Sequence, residues 1–195
     1  MSAVISACGL YRYRLERVIE GALQAAPSIA WIMVNPSTAD AAKDDQTIKK
    51  VRGFSRLAGA GRIVVGNLFA FRSKDVRLLR DASDPIGPEN DTHLRAIIQG
   101  SEIVVVAWGS LGKLPRSLRE RWRDVVRIAD GKTLMCIGIA KDGHPLHPQM
   151  EGYANVLRPW LTPAGRTIHQ PQGDANAHPR DRRSASSPRT PAPPA

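Results

Sequence analysis

Polar and aromatic residues that can do chemistry fall in a few short segments of this chain, each just after an apolar run. Asn35-Pro36-Ser37-Thr38 follows the first run and Asn67-Leu68-Phe69-Ala70-Phe71-Arg72 the second. Trp108-Gly109-Ser110 follows the third, and a His144-Pro145-Leu146-His147-Pro148 segment the fourth. An Asn amide offers both an acceptor and a donor, so Asn35 suits holding a water or reading a base edge, and Pro36 fixes the turn. The same three residues also make an ordinary turn, and Ser37 shares that ambiguity because no nucleophile-elbow glycines surround it. Asp44 and Asp45 precede a helical pattern, where a carboxylate either caps the helix or orients water as a general base. His144 and His147, held by prolines, suit acid/base work or transition-state stabilisation.

The remaining candidates bind rather than react. Asn67 fixes neighbouring loops or meets substrate. Phe69 and Phe71 either stack on a base or belong to the core, Trp108 offers a further ring, and Arg72 can meet a phosphate. Asn90 and Asp91 sit where a helix cap is expected.

Four continuous apolar runs position these segments: Ser28 to Val34, Arg62 to Gly66, Glu102 to Ala107 and Thr133 to Ile139. Runs without alternation belong to strands covered on both faces. Helical patterns lie between them at Gln46 to Ala58, Glu89 to Gln99 and Pro115 to Ala129. The expected fold is α/β, a three-layer α/β/α sandwich on a short, mostly parallel four-stranded sheet with right-handed crossovers. Leu10 to Arg17 alternates apolar or aromatic with basic residues and is expected as an edge strand. In such sheets ligands sit outside the carboxyl ends of the strands, which is where the candidate residues fall.

Composition limits the function classes. The 195 residues suffice for one domain, expected over 1–162. The segment 163–195 holds 7 of the 15 prolines and five arginines against two aspartates, and is expected to be a disordered basic tail. A net charge of +10 favours anionic partners, DNA or nucleotides first. Cys8 and Cys136 show no zinc spacing and no disulfide framework, so no metal and no cofactor is expected, and a reducing cytoplasm is. The N-terminus lacks the pattern of a secretory leader, and no apolar run approaches the ~18 residues of a membrane span.

Tyr11-Arg12-Tyr13, Val34 to Asp40, Asp44 to Ile48, Asn67 to Ala70, Asp84 to Gly87, Asn90-Asp91, Ala107 to Gly109 and Gly143 to Pro148 together resemble the DUF1643 family, a bacterial and phage domain of unknown function. More distantly, strand-Asn-Pro-Ser early and His-Pro late is similar to the uracil-DNA glycosylase superfamily. That resemblance implies a uracil-DNA-glycosylase-like fold, water oriented by Asn35, Asn67 in a second-strand motif and His144 near sugar and base. The chain departs from it with His-Pro-Leu for His-Pro-Ser and Met33-Val34 for the leading glycine, and two cysteines cannot ligate an iron–sulfur cluster. The expected function is therefore nucleobase or nucleotide processing, first a DNA-glycosylase-like hydrolase acting on a modified or damaged base. The alternatives are a non-catalytic module that binds nucleic acid or a modified nucleotide, and an enzyme acting on free nucleosides.

Overall fold

The computed structural model describes residues 1–37 and 39–163. Thr38 and, from residue 164 onward, the expected tail lie outside the described residues. The apolar runs form strands β3 (Ser28–Met33), β4 (Arg62–Asn67), β5 (Ile103–Val106) and β6 (Leu134–Cys136). All six residues of β3 are buried, as a run with no polar face requires.

The sheet is larger and more mixed than the expected four strands. Seven strands run in the order β1-β2-β4-β3-β5-β6-β7, adding β1 (Ser2–Ile5), β2 (Arg12–Val18) and β7 (Arg158–Pro159). Pairs β4·β3, β3·β5 and β5·β6 are parallel, whereas β1·β2, β2·β4 and β6·β7 are antiparallel. The strand expected at an edge, β2, lies inside, because β1 covers its outer side. β1 and β7 are too short for a periodicity to show.

Helix α1 (Gln46–Leu57) covers one face, packing Ile48, Val51 and Phe54 on Trp31, Ile63 and Val65. Trp31 Nε1 donates to Ser55 Oγ at 2.9 Å and ties that helix to β3. Helices α2 (Asn90–Gln99) and α3 (Arg121–Ile128) cover the other face, where Leu94, Ile97, Trp122 and Val125 meet Ile32, Val64 and Val104. The helix expected from Pro115 begins later. Leu118 N–H bonds the Pro115 carbonyl at 3.0 Å, an i to i−3 contact, so a short 3₁₀ turn over Arg116–Leu118 precedes α3.

Asn90 and Asp91 do not cap α2. Asn90 Nδ2 reaches back to the Asn67 and Leu68 carbonyls, each at 3.1 Å, and the Asp91 carboxylate pairs with Arg121. These contacts fix the end of β4 against the α2–α3 layer.

A bulge in β2 decides where two buried arginines go. Val4 faces Arg14 but Ile5 faces Arg12, so one step on β1 spans two on β2. Arg12 and Arg17 are five residues apart and would point to opposite faces of a regular strand. With the extra residue both reach the loop after β3, Arg12 donating to the Ala39 carbonyl at 2.7 Å and Arg17 to the Asp44 carboxylate at 2.7 Å. Tyr13 turns the other way and stacks on His93 of α2, ring centroids 4.9 Å apart.

Candidate functional site

Because α1, which follows β3, and α3, which follows β5, cover opposite faces, the loops leaving these adjacent strands part in opposite directions. A crevice must open at their carboxyl ends. It is a cleft of about 850 Å³, lined by Asn35 and Ser37 after β3, Asp45 to Ile48 at the start of α1, Ser73 to Val76 after β4, Trp108 to Ser110 after β5, and His147. The volume is within the range of small-molecule sites, roughly 300–1,000 Å³.

Asn35 sits two residues beyond β3. Its Nδ2 donates to the carbonyls of Pro36 at 3.1 Å and Ser73 at 2.8 Å. Two carbonyl partners fix which end of the amide is nitrogen, so Oδ1 is the group left to meet a ligand. Pro36 is buried and its carbonyl also accepts from Ser73 N–H at 2.9 Å. The Asn-Pro-Ser turn thus clamps the loop after β4.

The two adjacent aspartates part company. Asp44 turns away from the cleft and joins Arg17 at 2.7 Å and Arg52 at 3.0 Å; the Arg17 side chain is 0% exposed. Asp45 lines the cleft and caps α1, its Oδ1 accepting from Ile48 N–H at 2.9 Å.

The histidines part likewise. His147 lines the cleft, its backbone packed where Gly109, at a φ of +77°, would place a Cβ 3.1 Å from the His147 Cβ. Its Nδ1 accepts from Gln149 N–H at 3.4 Å, which puts the neutral ring's proton on Nε2. Burial lowers its pKa, and the Asp45 charge opposes that shift in part. His144 lies behind the wall: Trp108 Nε1 donates to its Nδ1 at 3.4 Å, and its ring meets Trp122 edge-on at 5.5 Å. Burial lowers its pKa too.

Three other expected binding residues lie outside the cleft lining. Phe69 is fully buried in the α2–α3 core. Arg72 donates to the Gly9 carbonyl at 3.2 Å and braces the loop between β1 and β2. Asn67 ends β4 opposite Met33, and its buried Nδ2 and Oδ1 have no hydrogen-bond partner among the described residues. Conversely, Arg12, Lys74 and Lys113 line the cleft although the residue pattern did not single them out. Arg12 showed only as part of an alternating basic run, which reads equally as a solvated strand face, and of the Tyr11-Arg12-Tyr13 segment that resembles the family, neither of which gives it a role.

The family model of a protein of unknown function, DUF1643, matches residues 12–149. The chain belongs to the DUF1643 family. No curated protein and no solved structure matches it. The DUF1643 match begins at Arg12 and ends at Gln149, so it includes every cleft residue named above. Among the described residues, no three His, Cys, Asp or Glu side chains converge as a metal site, and no helix is long and apolar enough to cross a membrane.

Proposed function

We propose that the chain is a nucleobase-processing hydrolase that cleaves an N-glycosidic bond in the cleft at the ends of β3 and β5. One observation carries the reading: Asn35 and Asp45 from the β3–α1 loop, Trp108 from the loop after β5 and His147 from the loop after β6 line a single cavity. The resemblance of the Asn-Pro-Ser segment to the glycosylase superfamily supports the choice of bond.

Trp108, whose ring packs edge-on against Trp160, closes the inner wall of the cleft where a base would lie. Asn35 Oδ1 accepts from a base-edge N–H or from water. Asp45 has one oxygen on the α1 cap, and the other orients the attacking water and takes its proton as the C1′–N bond breaks. The base departs with the bonding pair, and the His147 Nε2–H donates to the carbonyl oxygen on which that charge develops. His147 does this as a neutral imidazole, the form its burial favours.

A second reading, binding without turnover, is favoured by the capping role of Asp45, which a purely structural carboxylate would also fill. A panel of oligonucleotides and mononucleotides carrying uracil, hypoxanthine, alkylated and hypermodified bases separates the two. Abasic sites cleavable by alkali, or free base from mononucleotides, support hydrolysis. Binding with no product after long incubation supports the second reading.

A further inference from the structure

Arg12 is 2% exposed, yet among the described residues no carboxylate lies within ion-pair distance of it. Among the described residues its side chain has one hydrogen-bonded partner, the Ala39 carbonyl, and its buried Nε has none. A buried cation is ordinarily paired, as Arg17 is with Asp44 in the same strand. Arg12 instead borders the cleft, and the β2 bulge is what turns it there.

The surroundings add positive charge. Exposed Lys74 and Lys113 line the same cleft and, among the described residues, have no acidic partner. Of the two cleft carboxylates, Asp45 is engaged at the α1 cap, and Asp75 is held by Arg77, bonding its side chain at 2.7 Å. Burial brings the Arg12 pKa down to about 10, so the group is charged at neutral pH.

We propose that this cleft contains a phosphate subsite in which the buried Arg12 guanidinium, flanked by Lys74 and Lys113, takes the phosphoryl oxygens of the ligand. The planar guanidinium fits two such oxygens at once, and the ligand then supplies the direct counter-charge that Asp45 and Asp40 give Arg12 only at a distance. The ligand is thereby a nucleotide unit rather than a free base or nucleoside. That identity rests on the nucleobase reading above, whereas the anion site itself does not.

Calorimetric titration of the full chain tests both parts. Inorganic phosphate, at constant ionic strength against chloride, binds the wild type and binds at least about tenfold more weakly to Arg12→Lys, which keeps charge but loses the two-pronged geometry. Because Arg12 is buried and its replacement can unfold the chain, the exposed pair Lys74→Glu/Lys113→Glu is measured beside it, with the same expected loss. Unchanged phosphate affinity in the folded variants, or no phosphate binding by the wild type, overturns the subsite.

In the second arm, dUMP binds at least about tenfold tighter than deoxyuridine, as a charge-assisted contact implies. Equal affinities overturn the proposal. Phosphate binding with no affinity for either uracil compound keeps the subsite and removes uracil as the base. A thymidylate octamer without terminal phosphate distinguishes the source: binding comparable to dUMP assigns the subsite to a chain phosphodiester, and preference for dUMP assigns it to a terminal phosphate.

Discussion

Replacing Asp44 and Asp45 separately should give opposite results, although the residues are neighbours of one type. Asp44 bridges Arg52 and the wholly buried Arg17. Removing one partner of a buried pair leaves an uncompensated charge and costs roughly 3–5 kcal/mol. Arg17 also donates to the Glu16 carbonyl at 2.8 Å and to the Asp40 carbonyl, so part of its charge stays solvated by peptide oxygens. The expected loss for Asp44→Ala is therefore at the low end, about 3 kcal/mol, or roughly 6–12 °C in Tm for a domain of this size. Asp45→Asn keeps an oxygen for the α1 cap, where Asn and Asp rank alike, and should cost within about 0.5 kcal/mol. Urea unfolding followed by tryptophan fluorescence reads both. Equal losses, or an Asp44→Ala cost under about 1 kcal/mol, would refute the assignment of Asp44 to the fold and Asp45 to the cleft.

Two further outcomes follow from the histidine wall. Gly109→Ala combines a positive φ with a Cβ 3.1 Å from that of His147, so it should destabilise by about 1–3 kcal/mol and displace the His147 ring; an unchanged His147 Cε1–H NMR signal would contradict this. The pKa of His147 and of His144 lies below the ordinary 6.5 because partial burial disfavours the charged imidazolium. Between the folded and unfolded pKa values the unfolded chain binds more protons, so stability is full above about pH 6.5 and falls as pH drops through that window. His147→Gln should flatten part of that fall in urea midpoints measured from pH 7 to 5, and an unaltered slope would remove His147 from the account.

Legibility from sequence tracked how local each determinant was. The buried strands show as continuous apolar runs, because covering both faces leaves no polar position in them. The alternation of β2 does not reveal its interior place: Arg12 and Arg17 are buried against loop carbonyls and Asp44, a tertiary arrangement that no period encodes. Phe69 looks like a stacking residue only until parallel pairing is followed past β4, where its N–H bonds the Val34 carbonyl at 3.0 Å and its ring enters the core. The cleft lies at the strand ends, where chain direction alone places loops. Which of two adjacent aspartates, or of two histidines three residues apart, faces it depends on turn geometry: Leu146 N–H returns to the Gly138 carbonyl at 2.9 Å, folding the His-Pro segment so that His147 meets the cleft and His144 meets Trp108.

Chromatographic detection of released base reports on the proposed hydrolysis in the cleft at the ends of β3 and β5 with the fewest intervening steps. Wild type and Asp45→Asn are compared on the substrate panel at equal folded concentration. Wild-type protein should release free base, and Asp45→Asn at least about a hundredfold less, the scale of a lost general base. Equal release by the two proteins, or none by a wild type that binds the same substrates, would contradict it.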